Sequence, residues 1–204
     1  TVKYDEVINI GLAGVIAKIE KERSTMNVYD ADYTTKHELL ESMKISCEAV
    51  INYARRYAEL AMDMAGKCTD PVRKQELLHI AKNCARVPEN PAEDFYEACQ
   101  ASWFIQQVLQ LESSGHSISP GRFDQYMYPL YKKGIYEGTL TREFAQELLD
   151  CIWIKLNDLN KARDAASAEG FAGYSLFQNL CAGGQSADGR DATNDLSFLC
   201  IQAS

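Results

Sequence analysis

Basic residues are scarce relative to acidic ones: 21 Lys and Arg stand against 29 Asp and Glu, a net charge of −8. A chain of that sign gathers neither phosphate backbones nor anionic lipid, and no Lys/Arg block runs against the balance, which excludes nucleic acid and membrane surfaces as main partners. Long apolar runs are lacking too. The start, TVKYDEVINIGLAGVIAKIEKE, has neither a basic n-region nor a cleavable apolar core, so no export signal or membrane span is indicated. The 7 cysteines are odd in number, show no CxxC spacing and fall mostly on apolar helical faces, the usage expected in a reducing cytoplasm. There is no GxGxxG after a strand, no Walker loop, no HExxH metal motif and no GxSxG. The acidic pairs, such as Glu93-Asp94 and Asp164 to Glu169, do not converge with a histidine.

What the sequence does have is helical periodicity, on a hydrophobic content of 46% over 204 residues, ample for a packed core. Ile8, Leu12, Val15, Ile16 and Ile19 recur at steps of three and four, so residues 4–23 read as an amphipathic helix. From Tyr33 to about Met64 one stripe stays apolar through Leu39, Met43, Cys47, Val50, Ala54, Tyr57, Ala61 and Met64, predicting the longest helix. Asp70-Pro71 supplies an N-cap and a first-turn proline for a helix through Cys84. Val87-Pro88-Glu89-Asn90-Pro91 breaks the chain, and helical spacing resumes over 92–112, ending near Ser113-Ser114-Gly115. Thr141 reads as the cap of a helix carrying Phe144, Leu148, Ile152, Leu156 and Leu159. Residues 160–170 read as a loop, Leu176–Ala182 as a buried strand closed by Gly183-Gly184, Asp188-Gly189 as a turn and 191–204 as helix. No repeat, low-complexity tract or clear linker divides the chain, and both ends read as cut.

Of the 3 histidines, His37 and His79 sit on amphipathic helical stretches and are assigned no role. His116 differs. It lies in Gly115-His116-Ser117-Ile118-Ser119-Pro120-Gly121, a tightly turned loop whose backbone can approach a ligand. An adjacent imidazole and hydroxyl suit a small polyol or a carbonyl; the competing reading is that both merely cap a helix beginning near Gly121. Arg122 and Asp124 read as a buried ion pair bracing this loop, with Tyr126, Tyr128 and Tyr131 packing a helix edge. Phe171-Ala172-Gly173-Tyr174-Ser175 sets small residues around one phenol, which fits a hydroxyl aimed into a cavity or a core tyrosine with its hydroxyl satisfied.

The run GHSISPGRFDQYMYP, together with FAGYSLFQNLCAGG and DGRDATNDLSFLC and more weakly VINYARRYAELA, resembles the glycyl radical enzymes of the pyruvate formate-lyase type. The branch it looks most like contains the B12-independent glycerol and 1,2-propanediol dehydratases. The resemblance implies an α/β fold in which residues 1–204 are an interior part of a single catalytic domain, a ten-stranded α/β barrel, this portion being mostly helical with a few strands. It implies that His116 and Ser117 hydrogen-bond the substrate, that Tyr174 lines the same pocket, and that Arg122 and Asp124 give structural support. No bound cofactor or metal is implied; the reactive group is a glycyl radical installed by a radical S-adenosylmethionine activase, so the implied partners are a small-molecule substrate, that activating enzyme and a second copy in a homodimer. The family's Gly-Cys-x-Glu motif and Arg-Val-x-Gly-Tyr radical loop do not occur here. This chain is therefore expected to precede both, to contribute no catalytic residue and to be inactive alone. Diol dehydration leads; a choline-type C–N lyase or a formate C-acetyltransferase is the alternative within the family, and a non-catalytic helical binding module the alternative outside it.

Overall fold

The computed structural model describes residues 2–113, 118–159, 164–171 and 178–204. Among them are the helices α1 (Tyr4–Ser24), α2 (Tyr33–Lys67), α3 (Pro71–Arg86), α4 (Phe95–Glu112), α5 (Phe123–Glu137), α6 (Arg142–Asp158), α7 (Ala165–Phe171) and α8 (Asp195–Ala203). β-Structure among the described residues is limited to two isolated bridges, Gly121 with Leu180 in parallel and Gln185 with Asp191 in antiparallel. The chain divides into two compact units, residues 6–92 and residues 1–5 with 93–204.

In residues 6–92, α2 runs for 35 residues and packs along α3. Its buried line is Ile51, Ala54, Ala58, Ala61 and Ala65. Four of the bulky residues in the stripe read from the sequence, Leu39, Met43, Tyr57 and Met64, are exposed. Small side chains at steps of three and four let two helix backbones approach closely, so alanine selects the packed face over larger neighbours. Asp70 caps α3 as its position predicts, its carboxylate accepting the N–H groups of Val72 at 2.9 Å and Arg73 at 3.4 Å. Within α1, Gly11 takes φ +66°, and the N–H groups of Leu12 and Ala13 turn to the carbonyls of Pro88 and Glu89 at 2.8 and 2.9 Å. A Cβ on Gly11 would lie 2.3 Å from the Glu89 carbonyl oxygen, so both backbone angle and space demand glycine.

In the other unit α4 is buried on most sides, through Phe95, Ala98, Cys99, Ala101, Ser102, Phe104 and Ile105, and it packs against α5 and α6, while α8 closes on α5 and α6. Phe95, Met127, Leu149, Leu196 and Leu199 are fully buried, each contributing about 1.5–3 kcal/mol by leaving water. Asp94, Thr141 and Asn194 cap α4, α6 and α8, the last as a capping box with Ser197.

Two expectations fail. Residues 165–171 form a short helix within the stretch read as loop, because Asp164 caps it, accepting the Ser167 N–H at 3.1 Å, ahead of helix-favouring alanines. The described part of Leu176–Ala182 is not a buried strand: Asn179, Cys181 and Ala182 are exposed, and pairing is confined to the bridge at Leu180. A single bridge with solvent on one side is what remains when no second ladder continues the pattern.

Candidate substrate-handling site

His116, Ser117 and Tyr174, the predicted substrate contacts, lie outside the described residues, as do Ser114 and Gly115. The backbone on either side of them is described. Residues 118–121 and 178–183 run together: the Gly121 N–H donates to Asn179 at 3.3 Å, the Cys181 N–H to Gly121 at 2.8 Å, and the Asn179 N–H to Ser119 Oγ at 3.1 Å. Gly121 has φ +69°, which turns the chain into α5.

Arg122 and Asp124 are not the buried ion pair expected of them. Arg122 is exposed and its Nη2 donates to the Gly183 carbonyl at 3.1 Å, while Asp124 is fully buried. Asp124 Oδ2 accepts the Gly183 N–H at 2.7 Å and the Ser197 hydroxyl. Residues two apart at a helix start point to different sides, so the two side chains meet at Gly183 instead of at each other. Gly183 itself has φ +69°, and a Cβ there would come within 2.7 Å of Thr193 Oγ1. The brace continues through Gln125 Nε2, which donates to the Ala192 carbonyl at 2.9 Å. Residue type alone had suggested a cap role for His116 or Ser117; the N-cap of α5 is Arg122, which makes no side-chain cap bond.

The tyrosines do pack. Tyr126 stacks on Tyr4 with centroids 5.8 Å apart and its hydroxyl donates to the Pro120 carbonyl at 3.2 Å, while Tyr131 meets Phe95 edge-on at 5.7 Å. Burial pushes the Tyr126 hydroxyl well above its ordinary pKa, with Tyr4 adding to the effect. Beside this pair lies a cavity of about 20 Å³ lined by Tyr4, Gln106, Pro120, Tyr126, Trp153 and Leu180. It holds about one water and no three-carbon diol.

Sequence reading missed the two buried glutamines of α4. Gln106 is 3% exposed and Gln110 1%, and their four-residue spacing, which puts both on one helix face, was the signal available. Among the described residues Gln110 has no hydrogen-bond partner for either amide atom.

A family model described as "Pyruvate formate lyase-like" matches residues 1–204. The chain belongs to the pyruvate formate lyase-like family. The expectation carried by GHSISPGRFDQYMYP is met at that level. The isethionate sulfite-lyase of Oleidesulfovibrio alaskensis is 40% identical over 203 residues, 98% of this chain and 24% of that protein. A solved structure concerned with 1,2-propanediol dehydration in Roseburia inulinivorans is 69% identical with a TM-score of 0.96, over 100% of this chain and 24% of that one. The glycerol-bound B12-independent glycerol dehydratase from Clostridium butyricum is 47% identical with a TM-score of 0.94, over 100% of this chain and 25% of that one. This pyruvate formate lyase-like chain therefore spans about a quarter of the length of the relatives it matches. Among its described residues no helix is long and apolar enough to cross a membrane. Its buried thiols are not set up as anionic nucleophiles, since burial raises Cys84 to about 11 and Cys200 to about 12.

Proposed function

We propose that the complete protein is a cytoplasmic glycyl radical lyase that dehydrates a small diol, 1,2-propanediol or glycerol, to an aldehyde and water. The observation that carries the reading is the 69% identity, over 100% of this chain, to the Roseburia protein of 1,2-propanediol dehydration. In this reading the chain is an interior part of one catalytic domain, a ten-stranded barrel completed by sequence outside these residues, and the protein works as a homodimer with a radical S-adenosylmethionine activase. The radical supplies hydrogen abstraction from C1 of the diol. His116 and Ser117 hold the two hydroxyls, the imidazole donating to the C2 oxygen as it departs as water, and Tyr174 lines the same pocket. Arg122 and Asp124, anchored to Gly183, brace the loop that carries His116 and Ser117.

The test is anaerobic activation of the full-length protein followed by a panel of 1,2-propanediol, glycerol, isethionate, choline and pyruvate. Aldehyde release from a diol at the highest kcat/KM is the expected result. Preferred consumption of isethionate, choline or pyruvate overturns it, and the absence of both radical signal and turnover after activation favours a non-catalytic module.

A further inference from the structure

The amide of Gln106 is committed on both ends. Nε2 donates at 2.7 Å to the Ile118 carbonyl and at 2.7 Å to Gln178 Oε1, and Oε1 accepts the Tyr4 hydroxyl. Gln178 passes its own Nε2 to the Leu156 carbonyl on α6 at 3.0 Å. Ile118 directly follows Ser117, and Gln178 follows the stretch that contains Tyr174. One buried side chain thus ties Ile118 to Gln178.

The residue type fits the task. A primary amide offers two diverging donors and an acceptor on one short stem, whereas glutamate would set oxygens against the two acceptors and leucine would leave both acceptors unpaired. Its mount, α4, is buried on most sides, and a site is held to the tolerance chemistry requires only when its supports stand on rigid elements.

We propose that Gln106 is a positioning residue that fixes the spacing between Ile118, the next residue in sequence after His116 and Ser117, and Gln178, four residues after Tyr174. The activity readout rests on the diol-lyase reading, whereas the backbone readout below does not.

In the full-length, activated protein, Gln106→Met keeps the length and removes both donors, and is expected to raise KM for 1,2-propanediol about tenfold or more. Gln178→Met removes one of the two bonds and is expected to raise it about threefold; should the first variant misfold, this one carries the test. The glycyl radical signal in electron paramagnetic resonance is expected to stay at the wild-type level in both. Leu149→Ala, a core truncation on α6, serves as a destabilised control with KM within about twofold of wild type. Amide exchange at Gly121, Asn179 and Cys181 is expected to speed up in Gln106→Met and not in Leu149→Ala. Unchanged KM in both glutamine variants, an equal rise in Leu149→Ala, or unaltered exchange at those amides overturns the proposal. If the wild type turns over no diol, the proposed function fails while the exchange result still decides the role of Gln106.

Discussion

The carboxylate of Asp124, 0% exposed, accepts the backbone N–H of Gly183 at 2.7 Å from 59 residues away. The same oxygen also accepts the Ser197 hydroxyl, so two buried donors from different parts of the unit end on one atom. Asp124→Ala would strand both, and is expected to destabilise the protein by about 3 kcal/mol. Asp124→Asn keeps a carbonyl oxygen for both donors and loses only the charge assistance, about 1 kcal/mol. Urea denaturation of the full-length variants followed by tryptophan fluorescence checks the order; equal losses would mean that shape, not the oxygen, matters.

The alanine line of α2 gives a prediction of opposite sign to intuition from hydrophobicity. Ala65→Leu, at a position 1% exposed, is expected to cost about 1–3 kcal/mol by overpacking the contact with α3. Leu39→Ala, at a position 59% exposed, is expected to stay within about 0.5 kcal/mol of wild type. Melting temperatures of the two variants decide it, and a larger loss from Leu39→Ala would return the packed face to the bulky residues.

Stability is expected to fall as pH rises above about 8.5, the ordinary thiol pKa. Burial raises Cys84 to about 11 and Cys200 to about 12, the charge of Asp124 adding to the latter, so the folded state keeps protons that the unfolded chain has already lost. The contribution is complete below the unfolded value and disappears as pH climbs through the folded one. Between pH 8 and 10 each buried thiol removes about 1–2 kcal/mol. Urea midpoints at the two pH values measure this, and Cys84→Ala should flatten the slope.

At the candidate site, His116→Ala and Ser117→Ala in the full-length protein are expected to lower diol turnover by about 10²-fold or more while the glycyl radical signal persists. Unchanged turnover in both removes these residues from the substrate. Loss of the radical signal along with turnover would instead place them in activation.

Helix existence was legible because caps and apolar spacing are local: Asp70 and Thr141 cap α3 and α6 where residue type puts them, while α4 starts at Phe95, three residues after the point where helical spacing resumes. The packed face of α2 was legible in part: Ala54 and Ala61 of the apolar stripe lie on the buried line, but its bulky members Leu39, Met43, Tyr57 and Met64 are exposed, since a hydropathy stripe ranks leucine above alanine whereas close helix approach ranks them the other way. The partners of Asp124 were not legible, because Gly183 and Ser197 are distant in sequence and glycine carries no side-chain signal. The Gln106 network escaped for the same reason: its partners are a backbone carbonyl and a second amide 72 residues away.

The bridge between Gly121 and Leu180 makes the intervening chain a closed loop in the polymer sense. The entropy of closing such a loop grows only with the logarithm of its length, about 0.6 kcal/mol for each doubling. One or two residues inserted at the exposed turn beside Gly138, between α5 and α6, therefore change the free energy of closure very little. Length variation is nearly neutral only at such exposed turns, because α6 carries Ala145, Leu148 and Leu149 into the core and its Leu156 carbonyl holds Gln178 beside the Gly121–Leu180 seam.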